Sequence, residues 1–327
     1  MRSLGRIAAG LTAVVALGVG IAVVVPRAKA NTEAAPVAQA APAAPVAKAG
    51  LPIIDPYSKV LVIMEENSEY DDVINSPNTP YLNKLATEYG SATALDAGYP
   101  TECKSLAAYL LLTSGQRGDV CDDGMPAAHP QSADSIFGQL QQANRTWRTY
   151  AESEPGTCVL ENHPPFAARH TPVAYYPAVR EQCGQWDVPM GTMAAGAFHD
   201  DLAHGTLPDY SMLIPDLCHD MHGDKNHCTG DRIAAGDAWL AGVLPTVLAS
   251  PDFQQHRLVV LIQWDEGSKL SNHIPTLVIS PTTQHVSVAD PMTQCSMLAL
   301  TEDVLALPRL GCAVTQPRWM ARFHLGL

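Results

Sequence analysis

The stretch Lys59-Val-Leu-Val-Ile-Met-Glu-Glu-Asn67 decides the fold. Its apolar run shows no alternation of polar and apolar residues, so both of its faces ask to be buried, the pattern of a strand inside a parallel sheet. Glu65, Glu66 and Asn67 close the run, which places two acids and an amide at the carboxyl end of that strand. Open α/β sheets form their ligand crevices along this edge. Working outward, similar short apolar runs stand at residues 211–214, 258–262 and 276–279, each bounded by polar or turn residues. Helix-like segments lie between or beside them at 80–89, 105–112, 134–143, 231–248 and 297–307. The alternation predicts an α/β sandwich whose central, mostly parallel sheet is flanked by helices.

Composition narrows the functional classes. The 327 residues are 46% hydrophobic and 16% charged, with a formal charge of −13. That balance excludes a disordered, collagenous or nucleic-acid-coating chain, since a phosphate backbone would be repelled. The first thirty residues hold four cations and no acid. Arg2 and Arg6, an apolar run over 7–25 and Ala28-Lys29-Ala30 read as an export signal with its cleavage site. The alternative is an uncleaved anchor, the only membrane attachment the sequence suggests. Residues 31–50 are rich in Ala and Pro and read as an extended tether. Residues 51–327 are then one domain, secreted or extracytoplasmic. All eight cysteines fall in it. An even count in an exported protein suggests disulfides, and proximity suggests Cys103 with Cys121, Cys158 with Cys183, Cys218 with Cys228, and Cys295 with Cys312.

A second acidic group, Asp265 and Glu266, follows the run at 258–262 across only Gln263 and Trp264. Two acidic groups converging at strand carboxyl ends repel one another unless a cation sits between them, which points to a divalent metal. Taken singly, such acids also serve to solvate strand ends or cap helices. Ser105 opens an apolar helix after a loop broken by Pro100, so helix-start amides face whatever its hydroxyl attacks. A serine there is also the commonest N-cap, and Thr101 competes as nucleophile. No G-x-S-x-G surrounds either residue. Cys218, His219, His222, His227 and Cys228 have spacings that also suit structural zinc, although an oxidising compartment favours the Cys218–Cys228 bridge. Trp239 and Trp264 read as core or pocket-wall aromatics.

Seven ordered blocks carry a resemblance: Val62-Ile-Met-Glu-Glu-Asn67, Thr79-Pro-Tyr-Leu-Asn-Lys-Leu-Ala86, Lys104-Ser-Leu-Ala-Ala-Tyr-Leu-Leu-Leu-Thr-Ser-Gly115, Pro215-Asp-Leu-Cys-His-Asp-Met-His222, Gly236-Asp-Ala-Trp-Leu240, Trp264-Asp-Glu266 and Asn272-His-Ile-Pro-Thr276. Over about residues 60–308 the chain resembles the bacterial phosphoesterase family of acid phosphatases and non-haemolytic phospholipases C, within the alkaline-phosphatase-like superfamily. The resemblance implies an alkaline-phosphatase-like sandwich, Ser105 as nucleophile, and Glu66, Asn67, Asp265 and Glu266 as ligands of one divalent metal ion. It puts Asp220 and His222 on an N-D-x-H block and His170 on a K-H-N-P-like block. His222 and His170 thereby become candidates for leaving-group protonation or phosphate contact, and Asp220 for substrate binding.

The departures are local. Gln294-Cys-Ser stands where the family often has His-Tyr-Ser, so the expected histidine is missing unless His273 or His285 reaches the gap; His273 is carried as a substrate-binding candidate. Ala107 and Ala108 replace the family's proline and asparagine after the serine. The activity expected is a two-step phosphoryl transfer through Ser105 with overall retention, on a small phosphate ester, acid-phosphatase-like. A phospholipase C-type phosphodiesterase on phospholipid is the alternative, with no basic or amphipathic docking helix in its favour. A serine acyl hydrolase and a secreted metal- or phosphate-binding protein without turnover are the readings from other classes.

Overall fold

The computed structural model describes residues 57–326; the export signal and tether expected from the sequence lie outside the described residues. The run at 59–64 forms β1 (Lys59–Glu65), fully buried from Val60 onward. It lies in the middle of an eight-stranded sheet of order β4-β3-β5-β1-β6-β7-β2-β8. The other strands are β2 (Gly90–Ala92), β3 (Trp147–Ala151), β4 (Asp187–Pro189), β5 (Tyr210–Ile214), β6 (Leu258–Trp264), β7 (Thr276–Ile279) and β8 (Val286–Val288). β4, β3, β5, β1 and β6 are parallel in succession, and β7 runs antiparallel to both of its neighbours. The mostly parallel α/β sheet expected from the sequence is therefore present, with the four apolar runs as β1, β5, β6 and β7.

Six helices of seven residues or more are present among the described residues: α1 (Pro80–Glu88), α2 (Ser105–Ser114), α3 (Ile136–Gln142), α4 (Ala197–His204), α5 (Arg232–Ala249) and α6 (Gln294–Val304). β1 and β6 are buried on alternate residues of both kinds, which requires helices on both faces. α2 is buried along its entire length, matching its unbroken apolar sequence. α1 begins at Pro80, and its first amides are capped from a distance: Asp237 of α5 accepts from Tyr81 N–H at 3.1 Å and Leu82 N–H at 2.8 Å. The last helix expected over 297–307 instead starts three residues earlier. Thr293 and Ser296 form a capping box there that fixes the first turn.

The four disulfides are Cys103–Cys121, Cys158–Cys183, Cys218–Cys228 and Cys295–Cys312, the pairing that proximity suggested. Both cysteines of the zinc alternative are thus consumed in a bridge. Four disulfides suggest an extracytoplasmic protein. No helix among the described residues is long and apolar enough to cross a membrane.

β3, β4, β2 and β8 are the strands the sequence left unread. β4, β2 and β8 have only three residues each, too short for a period to show. At the β3–β4 edge Glu154 and Asp187 each bury one carboxyl oxygen without a partner. Burial, and then the charge of Asp187, push Glu154 up to about 8, and burial pushes Asp187 up to about 7. Carboxyls raised in the folded state contribute stability below their unfolded values, near 4, and lose it as the pH rises through 7 to 8. Glu154→Gln should therefore flatten the fall in melting temperature between pH 5 and pH 8. Its gain at pH 8 should be on the order of 1–2 kcal/mol. Equal pH slopes for the two proteins would show that the pair is not proton-linked.

Candidate active site

β5, β1 and β6 run the same way side by side, so their carboxyl ends open on one edge. The register pairs Glu65 with Trp264, which sets the two acidic groups abreast. Asp265 N–H donates to Glu65 O at 3.1 Å, and Glu66 N–H donates to Asp220 O, from the segment after β5, at 2.7 Å. Three consecutive strands thereby deliver Glu66, Asp220 and Asp265 to one place.

Glu66 is the hub. Its Oε2 accepts the Ser105 hydroxyl at 3.0 Å and its Oε1 accepts the Tyr109 hydroxyl at 2.6 Å. His170 Nε2 lies 3.3 Å from Glu66 Oε1, and His170 Nδ1 lies 3.6 Å from Asp220 Oδ2. Asn67, at φ 33°, turns its backbone N–H onto Asp265 Oδ1 at 2.9 Å and its side-chain Nδ2 onto Glu266 Oε1 at 2.7 Å. Ser105, Glu66, Asn67, Asp265, Glu266, His170 and Asp220 are thus linked in one network. His222 adjoins it: its N–H donates to Asp220 Oδ1 at 2.7 Å, and its ring centroid lies 6.5 Å from that of His170. His222 Nδ1 lies 2.7 Å from Gly223 O, so Nδ1 carries a proton and Nε2 is left for exchange. The Cys218–Cys228 bridge ties together the ends of the loop that holds His222.

The electrostatics are those of a site with too much negative charge. Burial, then Asp265 and Asp220, hold Glu66 well above the usual carboxylate range. Burial also raises Asp220 and Asp265, and burial with Asp265 pushes Glu266 up to about 8. His170 is driven down by burial, then by Arg169 and His222, so it is a neutral imidazole. Asp265 Oδ2, Asp220 Oδ2 and His170 Nε2 are buried without a hydrogen-bond partner. Unpartnered oxygens and a neutral imidazole nitrogen among crowded carboxyls are the donor set a divalent cation requires. Glu66, His170 and Asp220 each offer an atom such that all three lie within 4.8 Å of one another, and this buried triad could hold a metal.

His273 is placed differently from the other candidates. Its ring stacks on Tyr70 at 4.6 Å and its Nε2 bonds Thr93 O at 3.0 Å, contacts that brace the loop before β7. His285 is exposed and bonds Thr87 O, so it does not fill the gap left by the missing histidine. Gln294 occupies that position: its Nε2 donates to Trp264 O at 2.7 Å and Asp265 O at 2.8 Å, steadying the strand end beneath the acids. Trp264 is buried core, and Trp239 donates to Glu152. Sequence reasoning passed over Tyr109. Its signal was its place four residues after Ser105, which puts both hydroxyls on the same side of α2. Two openings adjoin the network: a cavity of about 370 Å³ bordered by Asn67, Thr101, Lys104 and Glu266, and one of about 400 Å³ bordered by His222, Lys225 and Arg232.

Residues 74–308 match the Phosphoesterase family. The match starts downstream of β1, so Glu66 and Asn67 enter the site on their geometry. No curated protein matches the sequence. Among solved structures, a protein in the alkaline phosphatase superfamily from Vibrio parahaemolyticus superposes with a TM-score of 0.55 at 16% identity, covering 82% of this chain and 72% of that one. The lipoteichoic acid synthase LtaP from Listeria monocytogenes superposes with a TM-score of 0.54 at 12% identity, covering 78% of this chain and 74% of that one. At these identities the likeness is one of fold.

Proposed function

The chain belongs to the Phosphoesterase family, whose members are phosphoric ester hydrolases, and from that premise we propose that it hydrolyses small phosphate esters through Ser105. The observation that carries the reading is the hydrogen bond from Ser105, at the start of a buried helix, to a carboxylate hub whose neighbours lack counter-charge. Glu66, Asn67, Asp265 and Glu266 would hold one divalent cation. When bound, it supplies positive charge against the phosphoryl oxygens and favours the ionised serine.

The chain's own residues supply the rest. Ser105 Oγ forms the new bond to phosphorus as the ester P–O bond breaks. Glu66 Oε2 orients the Ser105 hydroxyl along the hydrogen bond already present, and the hydroxyl proton passes to solvent as the new bond forms. His222 Nε2 gives a proton to the departing alkoxide and then takes one from the water that attacks the phosphoserine, while Ser105 Oγ regains its proton from solvent as its bond to phosphorus breaks. Two inversions leave the configuration at phosphorus retained. Tyr109 fixes Glu66 in place through its hydroxyl, His170 stands beside that carboxyl, and Asp220 fixes His222. A soluble monoester is preferred over a phospholipid, because the sequence offers no basic or amphipathic docking helix. The Glu66–His170–Asp220 geometry favours a second reading, in which these three residues would hold a further cation that would add positive charge at the site.

Hydrolysis of p-nitrophenyl phosphate and of its bis-ester, with and without chelator and added divalent metals, tests this. Turnover lost on chelation and restored by metal is expected, faster on the monoester. Chelator-resistant turnover would remove the cation from the mechanism, and preference for the bis-ester would favour the phosphodiesterase. Metal analysis of the active protein distinguishes one ion per chain from two.

A further inference from the structure

Arg232 is the first residue of α5, where a cation opposes the positive end of the helix dipole. The acceptors of its guanidinium are neutral oxygens. Nη1 donates to Met221 O and, at 3.0 Å, to Ser68 Oγ; Nη2 donates to Asn67 O at 3.2 Å. Ser68 Oγ passes the contact on to Glu66 O at 3.1 Å. One side chain thus holds the carbonyls of Asn67 and Met221 directly and that of Glu66 through Ser68. The segments it joins are the two on which the site rides, Glu66–Asn67 after β1 and Asp220–His222 after β5.

Both segments have a non-glycine residue in the left-handed region, Asn67 at φ 33° and Met221 at φ 68°. Such residues keep that conformation only when their surroundings over-determine it. α5 supplies those surroundings. Arg232 grips the carbonyl of each residue, and Gly236, one turn further on, leaves the space that the Met221 side chain fills. Gly223, at φ 76°, passes against the methylenes of Arg232 and closes the arrangement.

We propose that Arg232 is the positioning residue of this site, setting the separation of the Glu66–Asn67 segment from the Asp220–His222 segment. The proposal rests on the function argued above and adds to it the element that aligns the cation ligands with the proton-exchanging histidine. A planar guanidinium with several fixed donors suits this task, and a lysine ammonium does not.

The test compares the full chain with Arg232→Met and Arg232→Lys, reading Mn²⁺ affinity by calorimetry, amide hydrogen exchange, and kcat and KM on p-nitrophenyl phosphate. In Arg232→Met, Mn²⁺ affinity and kcat/KM should each fall by roughly 10–100-fold, the size typical of partners that orient metal ligands. Exchange should quicken over residues 66–69 and 219–223 and stay unchanged in β1 and β6. Arg232→Lys, which can satisfy only part of the acceptor set, should fall between, and it carries the test alone if the methionine variant does not fold. Affinity and local exchange equal to wild type in the variants would overturn the proposal. Wild-type protein that binds Mn²⁺ but turns over no ester would overturn the function proposed above, while affinity and exchange would still decide the role of Arg232.

Discussion

Ser105→Ala is expected to abolish turnover of phosphate esters, lowering kcat by on the order of 10³-fold or more while leaving the fold and cation binding in place. The size of the effect follows from what the hydroxyl does and what cannot replace it. Ser105 is buried at the start of α2, and its Oγ lies 3.0 Å from Glu66 Oε2. Thr101, the competing nucleophile from the sequence, borders the outer cavity and takes no part in the carboxylate network. Alanine removes one oxygen and leaves the helix intact, so circular dichroism and metal titration should match the wild type. An alanine variant retaining a tenth of the activity would assign the nucleophile elsewhere, with Thr101→Ala as the next substitution to make. A trapped phosphoserine after acid quench of the wild type, absent in the variant, would identify the atom directly.

How far the sequence could be read follows from the range of the interactions involved. β1, β5, β6 and β7 are apolar runs whose meaning is local, so they were legible as strands, and the acids at their ends were legible as edge residues. That Glu66 and Asp265 meet depends on β1 pairing with β6 in the register Glu65–Trp264, a contact across 199 positions that no local pattern encodes. The resemblance to a known family supplied it instead. His273 shows the converse: it was carried as a substrate-binding candidate able to reach the gap left by the missing histidine, yet its ring is engaged by Tyr70 and Thr93. Arg232 went unread because its role lies in carbonyls contributed by two distant segments, and a backbone oxygen leaves no mark on the sequence. Glu65 carries the same lesson. It reads as part of the acidic nest, but it is the last residue of β1 and wholly buried, raised by burial first and then by Asp220, Glu152 and Asp237.

Asp265→Asn is expected to move stability and activity in opposite directions. Asp265 is wholly buried; its Oδ1 accepts the Asn67 N–H, and its Oδ2 has no partner while Glu66 and Glu266 crowd it. The amide keeps the Oδ1 acceptor, removes one charge, and puts donors where the orphaned oxygen was. Without metal, the variant should therefore be more stable than the wild type, by about 1–3 kcal/mol, the usual cost of a buried group left unsatisfied. With metal the order should reverse. The wild type gains about 4.1 kcal/mol when the cation is at a thousand times its dissociation constant. The variant, having exchanged an anionic ligand for a neutral one, should gain little and lose more activity than the roughly 10–100-fold that outer partners of a metal are worth. Thermal melts of both proteins, each with chelator and with saturating Mn²⁺, give the four numbers required. A variant that melts below the wild type in chelator would mean that Asp265 is already satisfied without a cation, and equal metal-induced shifts would remove it from the ligand set. The opposed signs matter because loss of activity alone also follows from a damaged fold. A protein made more stable by the substitution that silences it has given up a carboxylate whose burial is repaid only by the ion it holds.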